Sequence, residues 1–495
     1  MVRPVRMSIM ALSVVLVLFT MQIGVSAKKK SSKRKSRAAR SVPVMFMAPV
    51  QRNLPVVVTA PVLSPAVADD FFLNMSASAQ GSSTASSTST AASGSGTGTP
   101  GGDSDGSGKR AWLIRPSKPA AGSLVISEFR VRGPNGANDE FIEIYNDSGA
   151  DHTVAGGGTG YAVAASNGVA RCVIPNGTVI PNRGHYLCVN SVGYSLASYP
   201  AGNGTTATGD ATYTTDIPDN AGIAIFNTSV AANFTLANRF DAVGSTSEAN
   251  TLYKEGTGYP ALTPFSIDYS FYRDLCGKQG SITTFGPCSI QTAKDTDNNA
   301  VDFIFVDTNG TSAGAGQRLG APQPENLSSP IQRNAVIPAT LLDTCAGSSS
   351  PPNRVRDFTS DPANNSTFGT LDLRLTFTNS TGANITRLRF HVVDISTFPA
   401  PSGVADLRPR TSTSVVVTVD RPPCGSGTSN VTVQGTTLEQ PPSQPNGGGF
   451  NSTLSAGTIT LGTPLANGST IDVRFLVGIQ QTGSFKIYVN IEALP

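Results

Sequence analysis

LVISEFRVRGPNGANDEFIEIYN, residues Leu124 to Asn146, consists of two alternating runs on either side of a Gly/Pro/Asn-rich turn, the pattern of one β-hairpin. Gly133, Pro134, Asn135, Gly136 and Asn138 supply the loop conformations, and a symmetric closure places Arg132 opposite Asp139. In that register Phe129, Val131, Ile142 and Ile144 gather on one face, while Glu128, Arg130, Glu143 and Asp139 gather on the other. The first face reads as core. The second places Glu128 directly opposite Glu143, a pair with the makings of an acid/base couple or a cation site. The plainer expectation is a solvated face on which Arg130 and Arg132 relieve the like-charge repulsion.

Later runs fit a longer series of strands. They include Gly184 to Val189 (GHYLCV), Asp219 to Phe226 (DNAGIAIF) and Phe240 to Gly244 (FDAVG). With VISEF from Val125 and DEFIEIYN from Asp139, this order resembles the lamin tail domain, an immunoglobulin-like β-sandwich of nuclear lamins and of many secreted bacterial proteins. The resemblance covers about residues 121–245. It continues to Pro330 as an extension of the bacterial type, with SFYR (Ser270 to Arg273), DTDNNAVDFIF (Asp295 to Phe305) and GAPQPENLSSP (Gly320 to Pro330). The resemblance implies a binding or structural module and carries over no catalytic residue.

Strict alternation returns beyond residue 335, at Leu371, Leu373, Leu375 and Phe377, then Leu388, Phe390 and Val392. It recurs at Ile471, Val473 and Phe475, and at Phe485, Ile487, Val489 and Ile491. Turn clusters at Asn379 to Gly382, Gly425 to Ser429 and Asn446 to Gly449 divide these runs. The expected fold is therefore all-β: two immunoglobulin-like antiparallel sandwiches, over 121–330 and 335–495, with the Pro- and Asn-rich stretch Pro322 to Pro330 as the boundary between them.

The chain before them is of another kind. Arg3 and Arg6, the apolar run Ile9 to Phe19 and the small residues before Lys28 make residues 1–27 a secretory signal. Eight basic residues follow in Lys28 to Arg40, where positive charge opposes translocation, so an uncleaved membrane anchor is the alternative. Residues 28–75 run from this basic arm into a Pro-punctuated extended segment, and residues 76–110 form a Ser/Thr/Gly-rich linker that is expected to be disordered. Residues 1–40 hold ten of the 36 Lys and Arg and no acid, so the rest carries 26 basic residues against 33 acidic ones. An acidic body of this kind is no general polyanion binder. Contact with nucleic acid is left to the basic arm, and contact with membrane to the N-terminal segment.

Six cysteines, Cys172, Cys188, Cys276, Cys288, Cys345 and Cys424, suit disulfides in an exported chain. Fifteen connectivities are open to six cysteines. Pairing Cys172 with Cys188, Cys276 with Cys288, and Cys345 with Cys424 keeps each bond within one structural unit. The absence of any CxxC spacing counts against a cysteine zinc site. The three histidines, His152, His185 and His391, are scattered, none in HExxH or at metal spacing to another. His185, at a strand start, reads as a hydrogen-bonded structural residue. GGGTG at Gly156 to Gly160 lacks the strand and helix of a phosphate cradle. Asp295, Asp297, Asn299 and Asp302 begin like a calcium loop, with alternate side-chain oxygens able to converge on a hard cation. Ala300 and Val306 depart from that pattern, and the competing reading is an Asp/Asn turn leading into a strand at Val301 to Val306.

The expected function is that of a non-enzymatic, secreted or cell-surface structural or adhesive protein, which meets a protein or glycan partner and needs no cofactor beyond that calcium candidate. The alternative is an accessory module for polysaccharide or extracellular nucleic acid.

Overall fold

A computed structural model describes residues 124–197, 207–261, 267–276, 292–309, 318–331, 336–439 and 446–495. The expected signal, basic arm, Pro-rich segment and linker lie outside the described residues, as does Cys288. The architecture is all-β, in sheets paired face to face.

The hairpin lies at the centre of a seven-stranded sheet. Its order is Arg318–Leu319, Phe303–Asp307, Tyr269–Arg273, Leu124–Arg130, Phe141–Asn146, His185–Asn190 and Ala211–Tyr213. Glu128 pairs with Glu143, Phe129 with Ile142 and Arg130 with Phe141, the register the side-chain alternation requires. A bulge between Ile126 and Glu128 shifts the pairing by one residue towards the strand start, so both the Ile126 and Phe129 side chains reach the core. The turn closes through Gly133 and Gly136, each N–H donating to the other's carbonyl at 3.2 and 2.9 Å. A four-stranded sheet, Arg239–Val243, Ile223–Phe226, Tyr161–Ala165 and Ala170–Ile174, covers the apolar face. Between the two sheets Phe129 stacks on Phe271 at 5.1 Å and meets Phe303 edge-on at 5.5 Å.

The second half repeats the plan. Strands Thr370–Thr378, Thr470–Gln481 and Asp406–Arg410 carry one sheet, edged by Ala339–Leu341 and Arg354–Asp357. Thr436–Glu439, Thr453–Ala456, Arg387–Ile395 and Ile487–Leu494 form the other. Phe377, Phe390 and Phe475 interlock at the centre of its core. Each of these aromatic residues falls on the apolar phase of an alternating run, which is why periodicity alone places them inside.

The expected strand at Val301 to Val306 is shifted. Asn299–Asp302 makes one helical turn, capped by the Asn298 side chain accepting from Ala300 N–H at 3.3 Å, and the strand begins only at Phe303. Capping by asparagine overrides the β-branched valine here.

The stretch expected as the boundary between the two halves, Pro322 to Pro330, is mostly buried. Gly320 to Asn326 is buried, passing as an extended strap between the halves. Leu319 and Ala321 straddle Phe450: Phe450 N–H donates to Leu319 O at 2.9 Å, and Ala321 N–H to Phe450 O at 3.2 Å. Gly320 lies so close to the Phe450 carbonyl that a Cβ there would collide with backbone. The second core also takes in Tyr272 and Val306 from the first half.

Candidate functional site

The polar face of the opening hairpin is where the two halves meet. Glu128 and Glu143 are buried, and the strap lies across them. Gln323 N–H donates to Glu128 Oε1 at 3.0 Å, and Glu325 N–H donates to Glu143 Oε2 at 2.7 Å. An extended strap turns alternate N–H groups to one side, so residues two apart reach two carboxylates on paired strands. The bulged Ser127 donates its hydroxyl to the other oxygen of Glu143.

This corrects the expectation of a solvated face relieved by Arg130 and Arg132. Arg130 is itself buried and engages Asp139 and, at 3.1 Å, Asp268; Arg132 engages Asp219 at 2.9 Å. Neither arginine is paired with the glutamates.

Beyond the strap the second half presents the opposite charge. Arg389 and His391 point from one face of Arg387–Ile395, and Glu492 from its neighbour Ile487–Leu494. The Arg389 guanidinium bridges Glu325 of the strap and Glu492. Asn451 donates to Glu128 Oε1 at 3.1 Å and to Ala321 O at 3.0 Å, which leaves its carbonyl oxygen to accept from His391 Nε2 at 2.6 Å. His391 Nδ1 faces Glu492 Oε1 at 3.2 Å. From the first half, His185 places Nδ1 3.3 Å from Glu325 Oε2 and Nε2 3.8 Å from Glu143 Oε1. That Nδ1 is buried without hydrogen-bond geometry to any group, so His185 is not the fully hydrogen-bonded residue its position suggested.

Burial sets the protonation of these groups. It raises Glu128 above the usual carboxylate range, against the hydrogen bonds from Gln323 and Asn451. Burial, then the charges of Glu128 and Glu325, push Glu143 well above it. Burial and the Glu492 charge also raise Glu325, with Arg389 opposing. Burial works in the same sense on Glu492, but Arg389 and His391 outweigh it and hold this carboxyl low. Burial drives His185 down to about 3, so it is neutral in ordinary buffers. Burial disfavours charge on His391 too, but Glu492 and Glu325 hold it above its ordinary value.

These groups border a cavity of about 50 Å³. That is room for water or a single ion, well below the roughly 300–1,000 Å³ of organic-ligand pockets. Chemically the site can hold a strap, a proton or a cation.

The calcium candidates take separate places. The Asn299 carbonyl oxygen accepts from Gly244 and Glu255 N–H, both at 3.0 Å. Asp302 accepts from Thr296 and Asn298 N–H at 3.0 and 3.2 Å. Asp295 lies 3.6 Å from Arg273, beside Asp241 and Glu255, and Asp297 adopts a left-handed backbone with φ of 56°. Asn299 thus spends its oxygen on the backbone of remote segments and Asp302 spends its oxygens within the loop. Of the proposed cystine pairs, Cys172 with Cys188 and Cys345 with Cys424 are both formed, with Cα separations of 6.2 and 5.5 Å. The first joins the two sheets of its half.

Arg389, Asn451, Glu325 and Glu492 escaped the sequence reading. One signal for them was present: the polar phase of the hairpin is acidic, while that of Arg387 to His391 is basic. Two half-buried sheets with complementary polar faces are suited to pack through them. No family matches this chain, and no curated protein or solved structure is significantly similar to it.

Proposed function

We propose that this chain is a non-enzymatic, exported structural or adhesive protein. In this reading two immunoglobulin-like sandwiches, the first of lamin-tail type, act as one stiff unit for assembly or matrix contact. The observation that carries the reading is the buried strap: Glu128 and Glu143 bind it from one side while Arg389 and Asn451 bind it from the other. A joint of this kind resists bending between its halves, a property suited to load or display rather than to turnover. The two cystines support an oxidising, extracellular setting, and the signal-like start supports export. Among the described residues no helix is long and apolar enough to cross a membrane. Surface proteolysis of whole cells tests the reading. Loss of the 124–495 portion from intact cells supports display, and full retention, with a surface control digested, contradicts it.

One observation favours accessory recognition of polysaccharide or nucleic acid as a second reading. Phe358 is 78% exposed and Phe368 48% exposed, and the Arg356 guanidinium lies 4.4 Å over the Phe358 ring while donating to the Phe368 carbonyl. An exposed ring with a guanidinium over it suits stacking against sugars or bases. Saturable binding of a defined glycan or single-stranded DNA that Phe358→Ala abolishes supports this second role.

A further inference from the structure

The Glu325, Glu492, His185 and His391 side chains meet in an unusual electronic arrangement. Asn451 is oriented by its two acceptors, Glu128 Oε1 and Ala321 O, so its carbonyl oxygen receives the His391 Nε2 proton. The lone pair of a neutral His391 then lies on Nδ1, 3.2 Å from Glu492 Oε1. His185 Nδ1 repeats this at 3.3 Å from Glu325 Oε2, buried and without a hydrogen bond. The remaining oxygens, Glu325 Oε1 and Glu492 Oε2, both go to Arg389. Each carboxylate therefore gives one oxygen to the guanidinium and turns the other towards an imidazole nitrogen.

We propose that His185, Glu325, His391 and Glu492 form a binding site for one divalent transition-metal ion, zinc foremost, at the joint between the sandwiches. The ligand atoms of Glu325, His391 and Glu492 all lie within 4.8 Å of one another, and His185 borders the same cavity of about 50 Å³. Two imidazoles and two carboxylates match tetrahedral zinc, whereas calcium and magnesium prefer oxygen alone. Asn451 serves as the outer partner that fixes the His391 tautomer, as metal-binding histidines commonly require. Glu325 and Glu492 are both buried and share the Arg389 guanidinium, so a divalent ion would bind on the oxygens that Arg389 does not take. The ligands come from both sandwiches and the strap, so the ion joins all three.

The test uses the full chain, stripped with chelator and titrated with Zn²⁺ by calorimetry and with Co²⁺ by visible absorption. The expected result is one ion per chain, a tetrahedral Co²⁺ band, and a higher melting temperature with Zn²⁺. His185→Ala and His391→Gln should each weaken binding at least about 10-fold and lose the band. His185→Ala removes no hydrogen bond that Nδ1 makes, so its metal-free melting serves as the folding control. Absence of binding overturns the proposal. So does binding of equal affinity in wild type and both variants, which would place the ion elsewhere, as at Asp241, Glu255 and Asp295.

Discussion

Glu128 and Glu143 stand opposite each other on paired strands, and each accepts a backbone N–H from alternate residues of one strap, Gln323 at 3.0 Å and Glu325 at 2.7 Å. Two buried acids side by side are costly unless something compensates them. Here the compensation is the peptide backbone that joins the two sandwiches, so the least favourable pair in the first sheet becomes its attachment point for the second.

Arg389→Ala is expected to destabilise the protein by about 3–5 kcal/mol, because it leaves Glu325 and Glu492 buried without their shared cation. Denaturant unfolding measures this. A loss below about 1 kcal/mol means the joint does not depend on the guanidinium.

Gly320→Ala should also be destabilising, on the order of 2 kcal/mol, since the added Cβ collides with the Phe450 carbonyl and pushes the strap outward. A melting curve unchanged from wild type would show that the strap has slack at this point.

Stability should fall as pH rises from about 5 to 8. Burial, with the Asp216 charge adding to it, lifts the Glu140 carboxyl from 4.5 to about 7, against hydrogen bonds from Asn190 and Ile217 N–H. The folded state therefore holds this proton more tightly than the unfolded state does. That contribution is complete below about pH 4.5 and is lost as pH climbs through 7, at most about 3 kcal/mol. Asp210, lifted by burial to about 6, adds to the same slope. Glu140→Gln should flatten the slope in part; a variant with the full wild-type pH dependence refutes the assignment.

Non-reducing peptide mapping should recover Cys172 with Cys188 and Cys345 with Cys424. The second bond closes a separation of 79 residues, so the Cys345→Ser/Cys424→Ser double variant should lose about 4 kcal/mol. Any crossed pair in the map contradicts the fold at that site.

Alternation at Leu371 to Phe377 and Leu388 to Val392 was enough to locate strands, because one buried face imposes a period of two. The same rule placed Glu128 opposite Glu143. What it did not reveal was the cover: whether a polar face meets water or another sheet depends on contacts such as Glu128 with Asn451, separated by 323 residues. The burial of the strap stayed hidden for a related reason. Gly320 to Pro330 has the composition of a linker, and its burial depends on hydrogen bonds from backbone, which side-chain identity does not encode. His185 and His391 likewise approach only through the docking of the halves.

Amide hydrogen exchange of the strap tests the central claim most directly. In the full-length wild-type protein the Gln323 and Glu325 amides should be as protected as those of the core strand Thr370–Thr378, and Glu143→Ala should release Glu325 selectively. If both amides exchange at the earliest time points in wild type, the carboxylate pair does not hold the strap and the two sandwiches do not move as one body.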